Sequence, residues 1–98
     1  MNANEYINGM ADLIRTTSAE YVKVEDIDGR KRIAAKFHSV GEMNSEMKKA
    51  FIANAETLKA LNAGLKALRA SGEIKSATNC YAPTLLEGGI ELRMDFGF

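Results

Sequence analysis

The sequence predicts a small α+β domain in the order αββαββ: two hairpins form a mostly antiparallel sheet, covered by one long amphipathic helix and a short N-terminal helix. Three observations predict it. Alternating residues flank Asp28-Gly29 between about Tyr21 and Phe37. An apolar stripe runs at helical spacing from Met47 to Leu68. Strict alternation returns from Ile90 to Phe98. A period of about 3.6 residues marks a helix face and a period of 2 a strand face.

The first element, about Asn4 to Arg15, reads as a helix because Tyr6, Met10, Leu13 and Ile14 share one face. Asn2 or Asn4 is its cap. Gly9 weakens it by about 1 kcal/mol relative to Ala. Thr16-Thr17-Ser18 ends it, since these side chains offer the backbone competing hydrogen bonds.

The first hairpin turns at Asp28-Gly29, a pair suited to the positive φ angles of a type I′ turn. A two-residue loop fixes the register by counting. Val24 falls opposite Ile33 and Val22 opposite Ala35 on one face. Glu25 falls opposite Arg32 and Tyr21 opposite Lys36 on the other. Apolar meets apolar and opposite charges meet, and a slip of one residue breaks both agreements.

Ser39 and Glu42 have capping-box spacing, so the long helix starts as early as Val40, with Asn44 or Ser45 as the other cap. Met47, Phe51, Leu58, Leu61, Leu65 and Leu68 then fall within about 100° of one another on a helical projection. Lys48, Lys59 and Lys66 line the opposite edge. Gly72 supplies a left-handed end, and Asn62-Ala63-Gly64 is the expected bend. A helix of about 27 residues spans about 40 Å, long for a domain of this size. The stripe therefore has two readings. It covers the sheet, or Leu58, Leu61, Leu65 and Leu68, stepping 3-4-3, form a homodimer seam.

In the second hairpin Ile90, Leu92, Met94, Phe96 and Phe98 alternate with Glu91, Arg93, Asp95 and Gly97, a strand that must lie centrally or against a helix. Its partner, about Ile74 to Ala82, is weaker, and Pro83 marks an edge or loop. Glu87-Gly88-Gly89 is the expected turn.

Composition narrows function without naming it. The 98 residues make one domain, 1–98, with 46% hydrophobic and 27% charged content, which is globular rather than disordered. Thirteen basic and thirteen acidic side chains cancel, so no global charge draws the chain to nucleic acid or anionic membrane. There is no signal-peptide pattern and no apolar run near the roughly 20 residues of a membrane span. Together with the single cysteine, Cys80, this gives a cytoplasmic expectation.

No metal or cofactor is expected. One His and one Cys fall short of a zinc ligand set. Asp26 and Asp28 resemble part of a calcium loop, but Phe37 stands where the closing Glu would be. Gly88-Gly89 lacks the Lys-Ser/Thr tail of a phosphate loop. A Cys80–His38 nucleophile pair competes with the plainer readings of a buried free thiol and a surface imidazole. Met43, Met47 and Phe51 are either core or an adaptable binding surface.

The leading expectation is a non-enzymatic binding protein. It would act as adaptor, regulator or inhibitor on the surface of a protein or protein–nucleic-acid complex, a class that includes phage and mobile-element inhibitors of host defence complexes. The alternative is a nucleic-acid-binding module that uses the basic hairpin tip, Arg30, Lys31 and Arg32, with Lys48, Lys59 and Lys66 as a further cationic row. An enzyme assembled from scattered polar residues is the third class.

Overall fold

The chain is described by a computed structural model covering residues 1–84 and 88–98. Its elements are α1 (Ala3–Ile14), β1 (Tyr21–Ile27), β2 (Arg30–Phe37), α2 (Val40–Ala53), α3 (Ala55–Ser71), β3 (Ser76–Pro83) and β4 (Ile90–Gly97). The strands form one antiparallel sheet in the order β1-β2-β4-β3, with the helices on one side. The Cα atoms extend 39 × 33 × 15 Å, a flat two-layer shape.

The first hairpin has the register that counting gives. Val24 pairs with Ile33, Val22 with Ala35, Glu25 with Arg32 and Tyr21 with Lys36. Asp28 (φ 50°) and Gly29 (φ 78°) make the turn. Strand β4 is central, as its alternation requires, because Leu92 and Phe96 are buried against the helices. Of the expected Glu87-Gly88-Gly89 turn, Glu87 lies outside the described residues. Gly88 and Gly89 have φ of 70° and 94°.

Three expectations about the helices change. First, the short helix α1, not the long stripe, is the core helix. Tyr6, Ile7, Met10, Ala11, Leu13 and Ile14 are all buried. Asn2 caps α1 in a full capping box: its Oδ1 accepts from Glu5 N (2.8 Å), and Glu5 Oε1 accepts from Asn2 N (3.0 Å). Thr16 and Thr17 donate through Oγ1 to the carbonyls of Leu13 and Ile14, closing the helix. Gly9 costs helix propensity but admits α3, since a Cβ there would lie 2.9 Å from Leu61 Cδ2.

Second, the single long helix is two helices. The break falls at Asn54 (φ −117°, ψ 35°), not at Asn62-Ala63-Gly64, which is continuous within α3. Asn54 donates through both its backbone N (3.0 Å) and its side-chain Nδ2 (2.8 Å) to Ala50 O, so its carboxamide helps close the last turn of α2. The break lets each half bury its own stripe, Met43 and Ala50 from α2, Leu61 and Leu68 from α3. It also removes the overlong rod. Gly64 instead makes room for Met1, whose Sδ lies 2.5 Å from where a Cβ would stand.

Third, Ser39 caps α2 by accepting from Glu42 N (3.0 Å), but Glu42 does not return the bond to Ser39. Its carboxylate accepts from His38 N (3.2 Å) and from Ser18 Oγ (2.6 Å), tying the α1–β1 connection to the start of α2.

Candidate functional site

Strand alternation sends the sheet's side chains to two faces with different chemistry. The outer face carries ionic rows that follow the pairing. One runs Glu25–Arg32–Asp95–Thr78 and another Tyr21–Lys36–Glu91–Ala82. Arg32 was expected to pair with Glu25. It stands opposite Glu25 but forms a bidentate pair with Asp95, Nε to Oδ1 at 2.8 Å and Nη2 to Oδ2 at 3.1 Å. The fork of the guanidinium fits a carboxylate, and β4 supplies one at the right register.

In the second row Tyr21 Oη donates to Glu91 Oε2, and Arg93 Nε donates to Glu91 Oε1 (2.6 Å). Lys36 is 3% exposed on this outer face, and its Nζ donates to Glu20 Oε2 at 2.9 Å. Lys23 Nζ sits 4.3 Å from the centre of the Tyr21 ring. Among the described residues, no buried side-chain N or O lacks a hydrogen-bond partner.

These contacts move proton affinities away from neutrality. The bond to Glu91 and burial push the Tyr21 hydroxyl up to about 12. Burial pulls Glu91 upward, but the hydrogen bonds from Tyr21 and Arg93 outweigh it and leave the carboxyl below its usual range. Asp95 is held low chiefly by Arg32. General acid–base chemistry uses the opposite tuning, toward the working pH.

The pH dependence of stability follows from these signs. Tyr21 is raised on folding, so its contribution is full below its ordinary value of 10.0 and is lost as pH rises through about 12. Glu91 and Asp95 are lowered, so theirs is full above the ordinary carboxylate range and is lost as pH falls through the lowered values. Thermal melting across pH is expected to show a plateau with both limbs. Tyr21→Phe removes the extra loss between pH 10.0 and about 12 and makes the acid limb shallower. An unchanged alkaline limb in that variant would mean that the Tyr21–Glu91 bond does not form in solution.

The sequence-derived basic patch does not assemble. Arg30-Lys31-Arg32 lies in a strand, so Arg30 and Arg32 share the outer face while Lys31 turns to the helix side, 3.9 Å from Asp26. Arg30, Arg32, Ile27, Asp28 and Asp95 line a shallow hollow of about 310 Å³ at the tip, with Arg32 already engaged by Asp95. Lys48, Lys59 and Lys66 are exposed on α2 and α3, and none of them lines the hollow at the tip.

Cys80, expected to be buried, is exposed, because its position on edge strand β3 points it to the outer face opposite Arg93. His38 follows β2 and meets Glu20 (Nδ1 to Oε1, 3.4 Å), so the structure does not pair it with Cys80. Among the described residues, no group of three or more His, Cys, Asp and Glu is placed to hold a metal. No helix among them is long and apolar enough to cross a membrane.

The helix-side face offers a different surface. Its residues on β3 are Ala77, Asn79 and Tyr81, and Asn79 and Tyr81 stay exposed there. Three adjoining hollows run along α2 and α3 beside them. One of about 630 Å³ is lined by Met47, Lys48, Phe51 and Ile52. One of about 160 Å³ lies between Met47, Phe51, Tyr81 and Met94. One of about 370 Å³ reaches Leu58, Leu65, Ala77 and Asn79. Met47 and Phe51 line this groove, while Met43 is buried in the core.

The leucine seam divides in the same way. Leu58 and Leu65 face the groove, whereas Leu61 (3% exposed) and Leu68 (4%) are buried in the protomer's own core. Ile52 (69% exposed) and Tyr81 (58%) are the large apolar side chains that the sequence reading left out. Ile52 was legible as an apolar residue lying off the stripe. Protein-family models, curated proteins and solved structures offer no match to this chain, so its surfaces speak for it alone.

Proposed function

We propose that the protein is a non-enzymatic binding protein that acts by occupying a surface of a macromolecular partner, as adaptor, regulator or inhibitor. The apolar groove along α2 and α3 carries this reading, with Ile52 projecting at 69% exposure at its rim. Exposed, contiguous apolar surface rimmed by polar groups is characteristic of protein–protein contacts. Met47 and Phe51 add a side chain that adapts and one that anchors. The partner that suits it is a protein presenting an apolar ridge, such as one face of an amphipathic helix. A cytoplasmic setting fits the exposed free thiol of Cys80. Nucleic-acid binding through the tip is the weaker reading, because alternation splits its three cations between faces and Asp95 neutralises one of them.

Affinity capture from the native cell, read by mass spectrometry, tests the proposal. A partner retained by wild type is expected to be lost from Ile52→Glu and Met47→Glu, with affinity reduced about 30-fold or more for a central contact. It is expected to survive Arg30→Ala. Equal capture by the groove variants, or retention of nucleic acid that disappears with Arg30→Ala, would overturn it.

A further inference from the structure

We infer that the outer edge of β3, which no strand among the described residues pairs, pairs antiparallel with β3 of a second copy, joining two four-stranded sheets into one of eight. The two edges of the sheet are built differently. β1 carries Lys23, Glu25 and Asp26, and Arg15 Nη2 donates to its outward carbonyl at Val22 (3.3 Å). Charges and covered backbone groups are how proteins keep an edge from pairing. β3, Ser76–Pro83, has no charged residue over its eight positions, in a chain that is 27% charged. Its proline stands only at the end.

The hydrogen-bond parity shows which groups are on offer. In an antiparallel ladder, alternate residues bond to the neighbouring strand and the others point away. The two-residue turn makes Ile27 and Arg30 the bonded closing pair of the first hairpin. Carried across the sheet through the registers, this alternation turns the odd-numbered residues of β4 toward the even-numbered residues of β3. The bond from Thr84 N to Gly89 O, which continues the β3–β4 register, agrees. Ala77, Asn79 and Tyr81 therefore direct their N–H and C=O groups outward.

These groups fit a copy of themselves. With Asn79 on a two-fold axis, Asn79 pairs with Asn79 of the second copy, and Ala77 with Tyr81 on either side. All six outward N–H groups then find carbonyls. On the helix side each large Tyr81 lies against a small Ala77, and the two Asn79 carboxamides face each other. On the outer side Thr78 meets Cys80 and Ser76 meets Ala82, with no like charges opposed. The ladder ends at Pro83, which has no N–H to give. The axis stands perpendicular to the sheet, so both helix layers lie on one face and the two grooves adjoin across it. The helix stripe offers no rival seam, because Leu61 and Leu68 are spent in the core.

Sedimentation velocity over a micromolar concentration series tests the pairing. Wild type is expected to be dimeric. Asn79→Pro removes only an outward N–H, leaving the β3–β4 ladder whole, and Asn79→Lys sets two like charges on the axis. Each should weaken the dimer about tenfold or more while the circular dichroism spectrum stays that of wild type. Leu58→Glu should leave the dimer intact.

The register has its own probe. Thr78→Cys places a thiol opposite Cys80 of the second copy in a non-bonded pair, with Cα atoms about 4.5 Å apart, within disulfide range. Diamide, which takes up the two thiol hydrogens, should link that variant into a covalent dimer much faster than wild type. A monomeric wild type, a dimer that survives Asn79→Pro and Asn79→Lys, or one lost instead with Leu58→Glu would overturn the inference. So would a wild type that stays monomeric and takes up an extended peptide strand at this edge.

Discussion

Phe96→Ala is expected to cost about 3–5 kcal/mol. A domain of this length holds only about 5–15 kcal/mol in total. The ring is 2% exposed in central strand β4 and meets Tyr6 of α1 edge to face, centroids 5.5 Å apart and planes at 82°. Its neighbours across the sheet are Lys31, whose charged end is held beside Asp26, and Ala77, which is too small to fill a cavity. The site therefore collapses poorly, and the loss lies toward the upper end of the range. Tyr6 would also lose the partner that orients it, loosening α1 on the sheet. Phe98→Ala, two residues on, should shift stability by no more than about 0.5 kcal/mol, since Phe98 is 45% exposed beyond the strand end. Urea unfolding followed by circular dichroism checks both. Equal midpoints for the two variants would show that α1 is not held through this ring.

That contrast shows where a sequence pattern stops. Alternation from Ile90 to Phe98 marks five side chains as one face, but it does not say how far the cover extends. The helix layer buries Leu92 and Phe96, leaves Ile90 and Met94 half-buried, and leaves Phe98 45% exposed. Local information was otherwise strong. The Asp28-Gly29 turn and the two kinds of cross-strand match fixed seven pairings, because turn geometry and face chemistry agree within one hairpin.

What failed depended on distant residues. Arg32 chose Asp95, 63 positions away, over Glu25 beside it. The break at Asn54 was hidden because an angular stripe reads the same through a single irregular residue. What decides the break is that α2 and α3 find different cover. The splitting of Arg30, Lys31 and Arg32 between faces was legible, since neighbouring strand residues point opposite ways. Reading them as a cluster treated a strand as if it were a loop. The groove was half legible. Met47 and Phe51 stood out as a surface, and Ile52 follows them on α2, but Tyr81 joins it only through the order β1-β2-β4-β3, which puts β3 at the edge.

The second large effect is expected at Gly89→Ala, about 3 kcal/mol or more of destabilisation, against about 1 kcal/mol for Gly88→Ala. Both glycines have positive φ, 94° and 70°, so both substitutions carry the left-handed penalty of an L side chain. They differ in what the new methyl meets. At Gly88 nothing described lies within 4 Å. At Gly89 the Cβ would stand 2.4 Å from Phe37 O and 3.3 Å from His38 O, both backbone atoms. A rotamer change cannot relieve that contact; the end of β2 or the start of β4 must move. The affected step is the Phe37–Ile90 pairing, where the first hairpin is joined to the second. Phe37 is fully buried, so the displacement would be carried into the core rather than absorbed at the surface. Amide exchange should report this locally. Gly89→Ala is expected to speed exchange at residues 35–37 and 90–92 well beyond its global destabilisation, while Gly88→Ala leaves their order of protection as in wild type. Equal exchange in the two variants would show that the close approach of Gly89 to β2 plays no part in holding the hairpins together.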